Sequence, residues 1–303
     1  MNLQYVKYAL EISRTGSISK AAENLSVAQP NLSRAVKELE SSLGIAIFDR
    51  TRTGMTVTPE GERLLAAGER ILREVADMET MFDGEAAVRH SLSVCACPAA
   101  YISHAFVSFC AALPAEELFE LRFSEGSMAE VLEAVTKGTA KLGVIRIPAH
   151  FEAYYTEKLA ERELKHEVVA EYTPVALAGL GSPLAGREAV TPASLEGLCQ
   201  VISPDSLPLN SDGTVKVDAP ARLEIRVSDR ATAYALLADD PTLYLCAPPI
   251  PPHVATKQGL IRRPMSGCGV FRDLLIYPRS YRLTDTDEAF LRALKGTARS
   301  LEG

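Results

Sequence analysis

Between Ser17 and Leu43 the chain holds two short amphipathic periodicities separated by a three-residue break, an arrangement that few small folds accept. Ile18, Ala21, Ala22 and Leu25 recur at steps of three and four, which puts them on one face of a helix. Ser17 precedes that helix as a good N-cap, and Ser26-Val27-Ala28 forms the break, with Val27 directed inward. Gln29-Pro30 opens the next helix, because proline is tolerated in a first turn whose amide hydrogens lack partners. Its buried stripe is predicted as Leu32, Val36, Leu39 and Leu43. A preceding helix with Leu3, Val6, Ala9, Leu10 and Ile12, stopped at Thr15-Gly16, completes a three-helix core.

The opposite face of the third helix presents Gln29, Pro30, Asn31, Ser33, Arg34 and Lys37. Glutamine pairs with adenine, arginine with guanine or phosphate, and serine with base edges or backbone, so this face suits a DNA major groove. Segments 46–50 and 55–58 read as two short strands, with Gly54 supplying the turn between them. Arg50 and Arg52 then sit where a wing meets phosphate or a narrow minor groove. The charge distribution agrees. Residues 1–58 hold seven Lys/Arg against five Asp/Glu, a net of +2 within a chain of formal charge −7. Local potential matters more than the total.

Pro59 starts a long helix to about Phe82, in which Gly61, Leu64, Gly68, Ile71, Val75, Met78 and Phe82 form one apolar seam. Such a seam predicts pairing with a second copy of the chain.

Residues 3–82 resemble the N-terminal domain of LysR-type transcriptional regulators. The resemblance rests on Gly16-Ser17-Ile18, Ala21-Ala22-Glu23-Asn24-Leu25, Val27 through Arg34, Leu39-Glu40, Leu43-Gly44, Phe48-Asp49-Arg50 and Thr58-Pro59-Glu60-Gly61. Ala28 stands where the family commonly carries Ser or Thr, so one capping or phosphate contact is expected to be missing. The resemblance implies a winged helix-turn-helix over 1–58 whose DNA contacts include Ser17 as well as the residues above. It implies a linker and dimerisation helix with hinge over 59–90, pairing through Leu64, Ile71, Val75, Met78 and Phe82. It further implies a regulatory body over 91–303, built from two Rossmann-like α/β subdomains as in type 2 periplasmic binding proteins. Their expected extents are 91–165 with 272–303, and 166–271. Implied partners are double-stranded operator DNA, a small-molecule effector, a second copy of the chain with tetramers through the body, and RNA polymerase for an activator.

The body alternates β-like runs at 92–97, 117–123, 141–147, 174–178, 199–203, 221–227, 242–247 and 271–277 with helical patterns at 101–112, 127–138, 191–198, 229–238 and 284–300. Such alternation points to parallel-rich α/β sheets. Ligands of open α/β sheets meet the carboxyl ends of strands. That rule selects Ala99, Ala100, Tyr101, Ser103, Ser127 and Arg146 from the first subdomain, and Ser203, Ser228 and Pro248 from the second. Hydroxyls at helix starts suit an anion, and Arg146 is the expected two-pronged clamp for a carboxylate.

No apolar run approaches the ~18–20 residues that span a bilayer, and the N-terminus lacks a signal-peptide pattern, so cytoplasmic residence is expected. Six cysteines show no CxxC pair, and five scattered histidines suggest no metal site or cofactor. No nucleophile motif, phosphate loop or dinucleotide fingerprint is present, which argues against an enzyme. Two alternatives stay open: a redox-responsive regulator acting through a thiol such as Cys199, and a DNA-binding protein that ignores small molecules.

Overall fold

The computed structural model describes residues 2–51, 54–82, 89–207 and 224–301. The chain divides into two units, Met1–Val88 and Arg89–Gly303.

In the first unit α1 (Leu3–Thr15), α2 (Ile18–Asn24) and α3 (Gln29–Leu43) pack around Val6, Ala9, Ile12, Ala21, Ala22, Leu32, Val36 and Leu39. Each boundary has a local cause. Asn2 caps α1 through its side chain, and Gly16 ends that helix at φ +66°, where a glycine has no Cβ penalty. Ser17 caps α2, whereas Ala28 opens α3 with no side-chain bond, as the Ala28 departure predicts. Leu43 is a correction: it is 38% exposed, and Ala35 takes the place in the buried stripe instead. The periodicity extends one turn too far because α3 ends at Gly44 before its last residue meets a partner.

Strands β1 (Phe48–Thr51) and β2 (Gly54–Val57) pair antiparallel, Phe48 opposite Val57 and Arg50 opposite Met55. Glu40 accepts from the amides of Ile47 (2.8 Å) and Phe48 (3.3 Å), tying this hairpin to α3. A Cβ at Gly54 would stand 2.6 Å from the carbonyl oxygen of Gly16, which itself accepts from the Met55 amide at 2.9 Å. Glycine is therefore required for the approach of the hairpin to the α1–α2 turn, beyond its use as a turn residue.

Helix α4 (Pro59–Phe82) begins at Thr58, whose hydroxyl accepts from the Gly61 amide at 2.9 Å. A Cβ at Gly61 would collide with the Ile47 carbonyl, and one at Gly68 with the Val6 side chain. Leu65 is buried in the three-helix core and Leu64 packs against it. The first half of the expected dimer seam thus covers its own head, a correction for Leu64, Gly61 and Gly68. Ile71 stays 38% exposed and Val75 half-buried, while the side chains of Met78 and Phe82 lie outside the described residues.

The second unit opens with β3 (Arg89–Ala96), α5 (Ala100–Ala111), β4 (Leu118–Glu125), α6 (Met128–Lys137), β5 (Leu142–Pro148), α7 (Glu152–Glu161) and β6 (Leu164–Tyr172). It continues through β7 (Val175–Gly179), β8 (Cys199–Ile202), β9 (Glu224–Arg226), α8 (Arg230–Asp239), β10 (Leu243–Ala247), α9 (Pro252–Lys257) and β11 (Leu260–Pro264). The chain closes with β12 (Phe271–Pro278) and α10 (Asp285–Arg299). Among the described residues two five-stranded sheets result, in the orders β4-β3-β5-β12-β6 and β11-β7-β10-β8-β9.

The first sheet is covered on both faces. Tyr101, Ile102, Phe109, Phe290 and Leu294 of α5 and α10 pack on one side, and Val131, Val135 and Leu159 of α6 and α7 on the other. Successive residues of β5 and β12 alternate between the two cores: Val144 and Leu275 face one, Ile145 and Leu274 the other. Buried on both faces, these strands are apolar over Leu142–Ile145 and Leu274–Ile276, and Arg146 and Asp273 interrupt them.

The chain passes between sheets at 173–174 and again at 265–270. The expected subdomain boundary is therefore corrected, because β6 belongs wholly to the first sheet, paired with β12. Its sequence, Leu-Lys-His-Glu-Val-Val-Ala-Glu-Tyr, hides it, since charged residues line its open face. Strand β11, with two arginines, and helices α7 and α9 are likewise additions to the sequence reading. The helix expected at 191–198 is only a 3₁₀ turn, Pro192–Leu195.

Candidate nucleic-acid interface and regulatory cleft

Packing Leu32, Ala35, Val36 and Leu39 inward leaves the other side of α3 outward. Gln29, Pro30, Asn31, Arg34 and Lys37 are exposed and Ser33 is half-buried. Pro30, Ser33, Arg34 and Lys37, with Glu38 and Ser41, line a shallow concavity along that face. Tyr5 donates to Glu38 at 2.9 Å and so fixes one rim from α1. Ser17 accepts from the Lys20 amide at 3.4 Å, which leaves its hydroxyl hydrogen available to a phosphate. Behind this face, Glu11 accepts from Arg14 (2.6 Å) and from Asn24 (2.6 Å), joining α1 to α2. Those bonds, Arg14 first, pull the Glu11 carboxyl down to about 2. The backbone of Arg50 lies in β1, but its side chain and all of Arg52 lie outside the described residues.

In the body, the expected carboxylate clamp is occupied from within. Arg146 is 9% exposed and forks onto Asp273, its Nε 2.9 Å from Oδ1 and its Nη2 2.9 Å from Oδ2. Tyr101 donates to Asp273 at 2.6 Å and Tyr172 at 3.0 Å, and Arg146 also donates to Tyr172. Burial alone would lower the Arg146 pKa; Asp273 beside it more than offsets that and keeps the guanidinium charged. Burial, with Asp273 adding to it, raises the Tyr101 phenol well above its usual value, and Tyr172 moves the same way, chiefly by burial. Arg146 and Tyr101 are therefore corrected from ligand contacts to an interior cluster. That cluster stands where β6 leaves the first sheet and β12 re-enters it. Through Nη1, Arg146 also holds the Pro98 carbonyl at 2.9 Å, just ahead of α5.

The remaining expected contacts divide. Ala99, Ala100 and Pro248 are buried, so only their backbones can meet a ligand. Ser127 spends its hydroxyl on a capping box with Glu130, whose carboxylate already occupies the start of α6. Ser228 is exposed, but Asp229 is the residue that caps α8. Ser203 accepts from the Asp205 amide at 3.3 Å, within its own turn.

Ser103 belongs to a different constellation, which bridges the two sheets. Arg230 at the start of α8 binds Asp205 through Nε (2.5 Å) and Nη2 (2.7 Å), Glu125 at 2.7 Å and the Ser103 hydroxyl at 2.9 Å. Ser103 in turn donates to Glu125 at 2.8 Å. One helical turn beyond Arg230, Tyr234 buries its hydroxyl beside Asp205, and burial first, then Asp205, raises its pKa. The strand-end rule reaches the segments 124–128 and 203–206 that hold Glu125 and Asp205, without singling them out, and passes over Tyr234 and Asp273. Only Asp273 had a signal, a carboxylate directly ahead of the apolar run Leu274-Leu275-Ile276, where a buried strand would need to supply it a partner.

The thiols follow burial. Cys95, Cys97 and Cys246 are buried, and no disulfide is formed among the described residues. Burial raises the pKa of Cys97, Cys110, Cys246 and Cys268, away from the thiolate a redox sensor needs. Among the described residues no helix is long and apolar enough to cross a membrane.

Comparison with known proteins fits this arrangement. Residues 3–62 match the bacterial regulatory helix-turn-helix protein domain of the lysR family. The uncharacterized HTH-type transcriptional regulator YcgK of Bacillus subtilis is 39% identical over 95 residues, 31% of this chain and 29% of that protein. TdcA of Escherichia coli K12 is 36% identical over 81 residues, 27% of this chain and 26% of its own length. The chain thus spans less than a third of the curated relatives it matches. Among solved structures, CbnR in complex with its target DNA superposes with a TM-score of 0.59 at 18% identity, covering 98% of this chain and 100% of that one. A full-length OxyR variant from Pseudomonas aeruginosa gives the same score and identity over 99% and 95%. Residues 3–62 thus match the helix-turn-helix domain model of the lysR family, and the whole chain shares the fold of the CbnR and OxyR structures.

Proposed function

We propose that the chain is a sequence-specific DNA-binding transcriptional regulator of the LysR type, cytoplasmic and not an enzyme. The single observation carrying this reading is the exposed polar face of α3, set over a fully apolar inner stripe within the matched domain. Gln29, Asn31, Ser33 and Arg34 read base edges, Pro30 shapes the entry of α3, Lys37 and Ser17 grip phosphates, and Arg50 and Arg52 serve the wing. The chain acts as a dimer through Ile71, Val75, Met78 and Phe82, with tetramers through the body and, for an activator, contact with RNA polymerase. Replacing Arg34 with alanine is expected to weaken binding to a duplex selected from genomic DNA by about 1–3 kcal/mol. Fluorescence anisotropy measures it; unchanged affinity would remove α3 from the interface.

The effector we propose is a small carboxylate, with Arg230 rather than Arg146 as its partner. Glu125 is partly exposed and bonds Arg230 from the other sheet, so a carboxylate ligand competes with it directly. Tyr234 offers a second polar group beside it. Exchange of Glu125 for a ligand shifts the balance between two arrangements of the body. A panel of organic acids is expected to raise the melting temperature of the wild-type chain with concentration, and not that of an Arg230→Ala variant. Equal shifts in both would place the ligand elsewhere.

A further inference from the structure

His104 and His253 are 149 residues apart in the chain, yet their Nε2 atoms stand 2.9 Å from each other. His104 lies in the second turn of α5, which packs on the first sheet; His253 opens α9, which packs beside the second. The ring centroids are 4.6 Å apart and the planes cross at 61°. His253 is exposed and His104 half-buried, so the pair is open to solutes. Two nitrogens on neighbouring corners around a metal with bonds of ~2.0–2.1 Å stand about 2.9–3.4 Å apart. The observed separation falls at the tight end of that range. Neutral imidazole is a preferred ligand for zinc, nickel and copper ions.

We propose that His104 and His253 form a divalent transition-metal site that clasps the two subdomains of the body. Both rings bind through Nε2, one from each side, and water or a small ligand completes the coordination. No third His, Cys, Asp or Glu joins the pair among the described residues, so the site is weaker than a closed structural one. Burial, then His253, then Lys257 lower the His104 pKa, which keeps its lone pair available at neutral pH. Lys257, one turn beyond His253 on α9, is the nearby positive charge against which a cation must bind. The clasp joins α5 to α9 and is separate from the Arg230 constellation, so it stands or falls independently of the carboxylate effector.

The test uses the full chain, stripped with chelator and titrated with Ni²⁺ by calorimetry. One saturable site is expected, and His104→Ala or His253→Ala should weaken it by about ten- to hundredfold or more, at least what loss of a supporting group costs. The double variant should do no more than the stronger single one. Cu²⁺ bound to the wild-type chain should show hyperfine splitting from two imidazole nitrogens, which needs no variant to fold. Wild-type affinity in both single variants, absence of saturable Ni²⁺ binding, or Cu²⁺ without paired nitrogen splitting overturns the site.

Discussion

The recognition face and the regulatory body use arginine in opposite ways. On α3, Arg34 and Lys37 are exposed and take part in no ion pair among the described residues. In the body, Arg146 is bound by Asp273, and Arg230 by Asp205 and Glu125. The head offers its cations to an outside partner, while the body locks Arg146 onto a buried carboxylate and holds Arg230 between a buried one and the partly exposed Glu125. A basic side chain near a cleft is therefore weak evidence for an anion site until its neighbours are known. Buried, Arg146 ties β5 to the start of β12 and the end of β6.

This contrast sets the order of expected effects. Asp273→Ala leaves Arg146 charged and unpaired, and should cost about 3–5 kcal/mol in the urea unfolding of the full chain. Arg34→Ala, by contrast, should leave stability within about 0.5 kcal/mol, because the side chain is exposed and makes no structural contact. A large stability loss from Arg34→Ala would erase the distinction. Next in size is Gly68→Val, which forces α4 off Val6 and should destabilise the head by about 1–3 kcal/mol, read as a lower melting temperature. Binding should respond more subtly to Lys37→Ala: a roughly uniform loss across sequences, with the salt slope reduced by about 1. Smallest is a pH effect. His104 has a lowered pKa in the folded body, so its contact with His253 is intact above about 6.5 and weakens as pH falls below it. Melting curves from pH 7.5 to 5 should show this acid-side loss in the wild type and less of it in His104→Ala.

The head was legible because its signals are local. Steps of three and four at Ile18–Leu25 and Leu32–Leu39, a proline at the start of α3 and glycines at both helix ends act within a few residues of themselves. What it concealed was tertiary: Gly61 and Gly68 read as part of a dimer seam, and only the approach of α4 to Val6 and Ile47 shows their other role. The body was half legible. Doubly buried strands such as β10 announce themselves as apolar runs, but β6 carries charges on a solvent face, β11 carries two half-buried arginines that bond to carbonyls, and neither does. Partners of buried charge were the least legible, since Arg146 and Asp273 lie 127 residues apart and meet only by the antiparallel pairing of β5 with β12. His104 and His253 are the same kind of case.

Hydroxyl-radical footprinting of the full chain, with and without a duplex selected from genomic DNA, tests the central claim most directly. Protection concentrated on Gln29 through Lys37, with the Arg146–Asp273 cluster unchanged, is the predicted result. Unaltered labelling along α3 while the duplex is bound would contradict it.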